Sequence, residues 1–280
     1  MELDLKRQLQ INACKARMGV IEGTFSAQSG HPGGSLSITD VLTYLYFVEM
    51  NVNPQEPKWE NRDRFVLSKG HTAPALYSVL ALRGFFSFEE IKTLRKSDSM
   101  LQGHPSMHMT PGIDMSTGSL GQGISVAVGM ALGAKLANKD YRVYTALGDG
   151  EIQEGQVWEA AMFASAKGLD NLVAVIDNNN LQIDGTLEEV NSPYPIPEKF
   201  EAFGWNVIKI DGHDFDSIDS AFKDAKQIKG KPTAIIAKSV KGKGVSFMEN
   251  NGSWHGKATN SEQYEQAMNE LKNTLSELEA

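Results

Sequence analysis

The sequence is short of three features that would point to particular compartments or partners. It contains one cysteine, Cys14, so no internal disulfide can form, and a reducing, cytoplasmic setting is the simplest interpretation. No apolar run approaches the ~20 residues of a membrane-spanning helix, and the first residues include acidic side chains and no cleavable apolar signal. Asp and Glu (35) outnumber Lys and Arg (27), which argues against a nucleic-acid-binding surface.

What is present is a regular alternation of short β-rich runs and longer segments with helical spacing. This alternation predicts a single α/β domain over residues 1–280, with a doubly wound, mainly parallel sheet and helices on both faces. A charged amphipathic helix, 261–278, is expected to pack on the outside. The predicted strands are 64–67, 142–147, 172–176, 205–210 and 232–237. The other predicted helices are 3–27, 72–83, 88–96, 124–136, 154–167, 197–203 and 215–228.

Three local expectations follow from glycine, proline and small apolar residues. The stretch from Gln28 to Gly34 is expected to form a loop, with the next helix capped by Ser37 or Thr39. Residues 186–198 contain three prolines and are also expected to form a loop. The helix over 124–136 consists almost entirely of small and apolar residues, so we expect it to be buried on most sides, in a core or against another subunit.

Two polar turns follow neighbouring predicted strands in the segment Arg142–Gly185. Gly148-Asp149-Gly150 ends one strand, and an asparagine run containing Asn179 ends the next, thirty residues on. Carboxyl ends of parallel strands lie at one edge of a sheet, where such folds bind ligands. The Asp149 carboxylate, the Asn179 amide oxygen and a backbone carbonyl near Leu181 are ligands that Mg²⁺ prefers, and Gly150 lets an anion approach the backbone. Either turn alone is common on protein surfaces.

Four histidines lie beside glycines at strand or loop ends: His31, His71, His104 and His255. Together with the Gly-Asp-Gly turn they predict one polar site suited to hydroxyl-rich or carbonyl substrates, because a neutral imidazole offers one donor and one acceptor. A zinc site is disfavoured, since no predicted helix carries two histidines at i, i+4 spacing and only one cysteine is present. The remaining histidines, His108 and His213, are weaker candidates for this site because of the loops in which they lie.

The spacing of the two turns resembles the thiamine diphosphate motif, and the longer blocks resemble the transketolase family. These blocks are SGHPGG, LSKGHTAPALY, LQGHPS, TGSLGQGISVAVGMALG, GDGEIQEGQVWEAA, DNNNLQIDG and WHGK, in the family's order over most of residues 12–258. The resemblance implies thiamine diphosphate and Mg²⁺ (or Ca²⁺ or Mn²⁺) as cofactors. It also implies ketol transfer, in which a two-carbon unit passes from a ketose phosphate to an aldose.

The resemblance also implies roles for individual residues. Metal binding would fall to Asp149, Asn179 and the Leu181 carbonyl. Cofactor contacts would come from His71, Gly118, Leu120, Gly150 and His255. Substrate contacts would come from His31, Arg95, His104 and His255, with Arg95 meeting the acceptor's phosphate. The catalytic candidates are His31, His71, His104 and His255. Glu154 would belong to an acidic network that bridges subunits.

The chain departs from complete transketolases because it stops at Ala280, at less than half their length. The domain that supplies the glutamate for the cofactor's aminopyrimidine ring is not included. We therefore expect the N-terminal subunit of a split transketolase, active only with a separately encoded partner, as an α2β2 heterotetramer in the pentose phosphate pathway. The alternatives are another thiamine diphosphate enzyme subunit (a 2-oxo-acid dehydrogenase α chain or a deoxyxylulose-phosphate synthase-like chain) or a non-catalytic anion-binding module.

Overall fold

A computed structural model describes residues 1–280, and its centre is a five-stranded parallel sheet. The strand order is β1-β2-β3-β7-β6, and every neighbouring pair in it is parallel. The strands of this sheet are β1 (Arg64–Leu67), β2 (Val143–Gly148), β3 (Leu172–Asn178), β6 (Asn206–Asp211) and β7 (Thr233–Lys238). A separate two-stranded antiparallel ribbon joins β4 (Leu181–Gln182) to β5 (Gly185–Thr186).

Nine α-helices surround these strands. They are α1 (Leu3–Ala27), α2 (Pro32–Tyr44), α3 (Ala73–Arg83), α4 (Gln122–Leu136), α5 (Gly155–Ala166), α6 (Leu187–Val190), α7 (Ile196–Ala202), α8 (Phe215–Gln227) and α9 (Ser261–Glu279). No helix combines the length and the apolar character that a bilayer crossing requires.

Two apolar cores, one on each face of the sheet, hold the layers together. Alternate residues of β2 point to opposite faces, as the two-residue period of a strand requires. Tyr144 and Ala146 enter the core beneath α1, α2, α3 and α8, whereas Val143 and Leu147 enter the core beneath α4, α5 and α7. Helices therefore cover both faces, and the predicted doubly wound α/β fold is confirmed.

The prediction that the two polar turns follow neighbouring strands is confirmed. Strands β2 and β3 are parallel neighbours joined by α5, and their register pairs Gly148 with Asp177. The Gly-Asp-Gly turn and the asparagine run consequently leave the sheet side by side, at the same edge. The charged helix α9 packs against α1 and buries Ala267, Met268 and Leu271.

The predicted loop Gln28–Gly34 is confirmed for residues 28–31 and wrong for residues 32–34, and the prediction that Ser37 or Thr39 caps the next helix is wrong. Helix α2 begins at Pro32, with His31 in the N-cap position. Proline is tolerated in the first helical turn because its missing N–H has no partner there anyway. The following glycines allow tight packing: a Cβ atom on Gly33 would lie 2.9 Å from the Trp254 carbonyl oxygen.

Two further expectations need correction. Residues 187–190 form the short helix α6 within the expected loop 186–198. The predicted helix 88–96 is a 3₁₀ segment, Phe88–Thr93, capped by Ser87. Helix α4 is partly exposed in the single chain, at Gly129, at Gly133 and over 75% of Leu136, so its expected burial against another subunit stays a prediction.

Candidate active site

A pocket of about 470 Å³ lies at the carboxyl edge of β1, β2 and β3. Its walls are the Gly-Asp-Gly turn, the asparagine run with the β4 segment, the segment after β1 and the loop before α4. A larger groove of about 870 Å³ lies beyond the asparagine run, but none of the four candidate histidines line it. The smaller pocket contains seven of the predicted site residues: His71, Leu120, Asp149, Gly150, Asn179, Leu181 and His255.

Asp149 is the only carboxylate in the predicted metal-binding set, and it is almost completely buried. Its Oδ2 atom accepts hydrogen bonds from Asn178 Nδ2 (3.0 Å) and from the Asn180 N–H (2.6 Å). The Gly150 N–H donates to Oδ1 at 2.9 Å. Burial raises the pKa of Asp149 to about 6, against the effect of these donors. The donors hold the carboxylate in one orientation at the mouth of the turn.

The other two predicted metal ligands lie on the asparagine run. Asn179 Oδ1 accepts the Leu181 N–H at 3.1 Å, which closes a local turn. The Leu181 carbonyl accepts from Lys241 Nζ at 3.0 Å. One carboxylate, one amide oxygen and one carbonyl fit Mg²⁺ when an anionic ligand supplies further oxygens. No three His, Cys, Asp or Glu side chains cluster as a metal site anywhere in the chain, so this oxygen set has no competitor of that kind.

Three of the four candidate histidines form one cluster. His31 lies with its ring centre 5.1 Å from that of His71 and 5.5 Å from that of His255, and the latter two are stacked at 5.2 Å. Burial, with nearby positive charge, lowers the pKa of His31 to about 4 and of His255 to about 3, and lowers that of His71 well below its usual range. At neutral pH all three imidazoles are uncharged.

Lys241 determines which nitrogen of His255 carries the proton. The Lys241 ammonium lies 2.9 Å from His255 Nδ1. Because an ammonium group can only donate, Nδ1 must accept, and the proton of the neutral ring is on Nε2. His255 therefore offers a single N–H donor to a bound molecule.

His104 and Arg95 lie next to this cluster but do not line the pocket. A Cβ atom on Gly118 would lie 3.1 Å from His104 Cγ. After burial, Arg95 and His104 are the next causes of the lowered pKa of His31. Arg95 has a φ of +62°, a conformation that residues other than glycine adopt rarely and that is found preferentially at functional sites. Both residues are thus placed to meet the outer end of a molecule held at the histidines.

His213 lies away from the pocket, in a hydrogen-bond network that joins helices to loops. Its Nε2 atom accepts the Val240 N–H at 2.8 Å, so its Nδ1 atom donates to Asp40 at 2.7 Å. Asp40 also pairs with Arg17, and the network ties α1 and α2 to the loops after β6 and β7. His108 lies in the exposed loop before α4, beside Trp59.

Sequence reasoning missed buried charged groups at the site, among them Lys69, Asp177 and Lys241. Lys69 lines the pocket and forms an ion pair with Asp177, which also accepts from Ser37 Oγ at 2.5 Å and from Ser239 Oγ. Burial lowers the pKa of Lys241 to about 8. The only local signals were a lysine beside His71, an aspartate before the asparagine run and a Gly/Lys-rich loop. None of these marks burial.

Comparisons with known proteins show the family to which the chain belongs. Residues 7–275 match the family model described as "Transketolase, thiamine diphosphate binding domain". The 6-deoxy-6-sulfo-D-fructose transketolase subunit of Clostridium sp. (strain MSTE9) is 47% identical over 271 residues, 97% of each chain. One of the subunits of the apulose-4-phosphate transketolase of Phocaeicola vulgatus is 45% identical over 271 residues, 97% of this chain and 96% of that one.

A solved structure has the same fold. The crystal structure of transketolase from Campylobacter jejuni superimposes with a TM-score of 0.89 and 33% identity. The match covers 99% of this chain and 46% of that one, so this chain spans less than half of that transketolase. The chain therefore belongs to the transketolase family, whose reaction is ketol transfer, and it forms the family's thiamine diphosphate-binding domain.

Proposed function

We propose that this chain is the N-terminal subunit of a two-chain transketolase that uses thiamine diphosphate and Mg²⁺. It transfers a two-carbon ketol unit from a ketose phosphate to an aldose or aldose phosphate. The observation that carries the proposal is the pocket at the carboxyl edge, where an oxygen-only metal-binding set lies beside three neutral imidazoles.

The diphosphate end of the cofactor is held by the Gly-Asp-Gly turn and the asparagine run. Asp149, Asn179 and the Leu181 carbonyl bind the metal ion. Lys241, almost fully buried in the same pocket, supplies a positive charge for the diphosphate. The cofactor, when bound, supplies the electron sink for breaking the carbon–carbon bond. The chain supplies positioning and exclusion of water.

The histidines supply hydrogen bonds and proton transfer near the reacting carbons. Their lowered pKa values keep them neutral, so each ring can accept a proton or donate one hydrogen bond at pH 7. His255 donates from Nε2 because Lys241 occupies its other nitrogen. His31 and His104 contact the first hydroxyl groups of the donor sugar. His71, Gly118 and Leu120 contact the cofactor.

The substrate is a ketose with an anionic group at its far end. Arg95, whose charge lowers the pKa of His104 after burial does, binds this group on the outer side of the pocket. The related subunits are named for a sulfonated ketose and for a ketose phosphate, which both carry an anion. Ordinary pentose phosphate metabolism is the pathway we propose, and a panel of phosphorylated and sulfonated ketoses tests it directly.

The partner is a separately encoded chain with the complementary domain, assembled as an α2β2 heterotetramer. The nearly complete overlap with two proteins named as subunits supports this arrangement. Helices α4 and α5 pack together and expose an apolar face, including 59% of Met162 and 43% of Phe163. A second copy of this chain covers the face, and Glu154, exposed at the start of α5, belongs to the contact.

Two further proposals concern organisation and location. Residues 1–280 form one diphosphate-binding domain, because both apolar cores pack on the same sheet. The location is the cytoplasm, because the single cysteine, Cys14, is a buried free thiol that a reducing compartment would preserve.

The deciding experiment measures thiamine diphosphate binding by calorimetry, with and without Mg²⁺ and with and without the partner chain. Asp149→Ala should abolish metal-dependent binding. Asp211→Ala is the matched control, since Asp211 ends β6 at the same edge but is exposed and lies outside the pocket. Unchanged affinity in Asp149→Ala would refute the assigned metal site.

Activity assays separate the remaining candidates. With its partner, the chain should cleave ketose phosphates and should not oxidatively decarboxylate 2-oxo acids. The isolated chain should show no turnover. Turnover by the purified chain alone would refute the two-chain proposal, and metal-dependent binding without any activity in the complex would favour a non-catalytic module.

A further inference from the structure

Glu151, directly after the Gly-Asp-Gly turn, is a buried carboxylate to which the proposed function assigns no part. It is 3% exposed and lies in the 3₁₀ turn Glu151–Gln153, in the wall of the pocket. Its Oε1 atom accepts from Ser68 Oγ at 2.5 Å and from the Gly121 N–H at 3.0 Å. Its Oε2 atom accepts the Gly148 N–H at 3.0 Å. It forms no ion pair within 4.0 Å, so these three donors are the only groups that hydrogen-bond directly to its carboxylate.

The three donors belong to three different segments of the pocket wall. Ser68 directly follows β1 and lies three residues before His71. Gly121 lies directly after Leu120, in the loop before α4. Gly148 ends β2 and precedes Asp149. One side chain therefore connects the segments that carry His71, Leu120 and Asp149, all of which line the pocket.

These segments are packed so closely that a small displacement of one would move the others. A Cβ atom on Gly70 would lie 2.8 Å from the backbone nitrogen of Gly118, and one on Gly123 would lie 2.6 Å from Ser68 Cα. Thr117 Oγ1, in the loop before α4, donates to the carbonyl of Leu67, the last residue of β1, at 2.7 Å. The loop before α4 consequently has contacts on both sides, and Glu151 joins it to the metal-binding turn.

Only a carboxylate satisfies this arrangement. The backbone N–H groups of Gly121 and Gly148 point at opposite oxygens, and neither donor can rotate away. A glutamine at this position would have to place its NH₂ group against one of the two N–H groups, whichever way the amide is turned. A buried N–H group that loses its acceptor is costly, so the junction would open at one side.

We propose that Glu151 is a positioning residue for thiamine diphosphate: it holds the loop before α4 and the Gly-Asp-Gly turn at the separation that both ends of the cofactor require. This proposal rests on the proposed function, because it assumes that the pocket binds the cofactor. It adds a residue whose carboxylate acts through Ser68, Gly121 and Gly148.

The test compares Glu151→Gln with the wild type and with Glu265→Gln, an exposed glutamate on α9 whose side chain makes no hydrogen bond. Calorimetry with thiamine diphosphate and Mg²⁺ should show an affinity about 10–100-fold lower for Glu151→Gln, as expected for a residue that orients a metal site through its neighbours. Glu265→Gln should match the wild type. Ser68→Ala, which removes only one hydroxyl donor, should weaken binding by about fivefold.

Two readouts separate positioning from a general folding role. In the complex with its partner, Glu151→Gln should raise the KM for thiamine diphosphate and leave kcat at saturating cofactor within about threefold of the wild type. Hydrogen exchange without cofactor should be faster in peptides containing Gly121 and Gly148, and unchanged in α8. Lower kcat with an unaltered KM for the cofactor would indicate loss of folded protein and would overturn the proposal.

The outcomes also distinguish this inference from the proposed function. If the wild type binds no cofactor with or without its partner, the proposed function fails. If the wild type binds and Glu151→Gln binds equally well within twofold, the positioning role of Glu151 fails while the proposed function stands.

Discussion

The buried ion pair between Lys69 and Asp177 gives the most direct physical test of how the site is built. The Lys69 and Asp177 side chains are 2% and 1% exposed, and they meet where β1 and β3 end. Burial alone would raise the pKa of Asp177, but Lys69 and the hydroxyl groups of Ser239 and Ser37 hold it below its ordinary value. Asp177→Asn keeps the shape and the acceptor oxygen but leaves the Lys69 ammonium buried without a counter-charge.

The expected cost follows from this burial. Removing one partner of a buried ion pair typically costs about 3–5 kcal/mol, because the remaining charge is neither hydrated nor paired. Domains of this kind have a free energy of unfolding of about 5–15 kcal/mol, so the single change should lower the denaturation midpoint strongly. Lys69→Met should have a similar effect, because it leaves the Asp177 charge buried.

A double-mutant cycle measured by urea denaturation with circular dichroism provides the assay. The double variant Lys69→Met/Asp177→Asn removes both charges, so it should be more stable than the sum of the two single effects predicts, by about 2 kcal/mol or more. The pair Glu89–Lys92, whose side chains are 75% and 53% exposed, is the control, and its cycle should give less than about 0.5 kcal/mol. Single effects below about 1 kcal/mol, or additive effects within about 0.5 kcal/mol, would refute the reasoning.

Three other predictions use the same chain. The pKa of His255 is lowered from its usual 6.5 to about 3, so between these values the unfolded state binds the proton and stability is lost as pH falls below about 6.5. His255→Gln should therefore reduce the loss of unfolding free energy between pH 6.5 and 5.5 by up to about 1 kcal/mol, given its partial exposure; an unchanged slope contradicts this. Gly70→Ala should weaken thiamine diphosphate binding by calorimetry, since its Cβ would lie 2.7 Å from Thr117 Oγ1; equal affinity would show that the loop yields. Gly129→Ala meets no atom within 4 Å and should raise the unfolding free energy of the isolated chain by up to about 1 kcal/mol, while lowering the dimer fraction in light scattering if a second copy covers α4; an unchanged dimer fraction would exclude contact at this position.

The fold and the sheet edge that carries the proposed metal site could be predicted because they depend on short-range patterns. The run before Gly148 and the run before Asp177 each read as a buried strand, and a helix of α5's length between them requires a parallel crossover. Parallel strands end at one edge, so the proximity of Asp149 and Asn179 followed without any knowledge of side-chain packing. The register of β2 and β3 confirms this step.

The start of α2 could not be predicted because its cause lies elsewhere in the chain. Glycine and proline around His31 read as loop residues, since both disfavour a helix interior. In the structure the glycines are needed for close approach: a Cβ atom on Gly34 would lie 3.0 Å from Thr72 Cγ2, as one on Gly33 would crowd Trp254. These contacts join positions 38 and 221 residues apart, counted from 34 to 72 and from 33 to 254, and no local pattern encodes them.

Lys241 is a second feature that no local sequence pattern encodes, and it bears directly on function. Lys69 is neutralised by Asp177, but Lys241, 2% exposed, contacts only two neutral acceptors, the Leu181 carbonyl and His255 Nδ1, and has no carboxylate within 4.0 Å. A buried ammonium without a counter-ion is a cost to the folded chain, and burial lowers its pKa to about 8. The cost is explained if an anionic ligand completes the pair.

Lys241→Met should therefore leave the unfolding free energy of the isolated chain unchanged or higher. It should weaken thiamine diphosphate binding by more than about tenfold, since charge-assisted hydrogen bonds are worth about 1.5–3 kcal/mol. Denaturation and calorimetry on the same preparation measure both quantities. A variant that loses stability and binds the cofactor normally would show that Lys241 serves the fold and not the ligand.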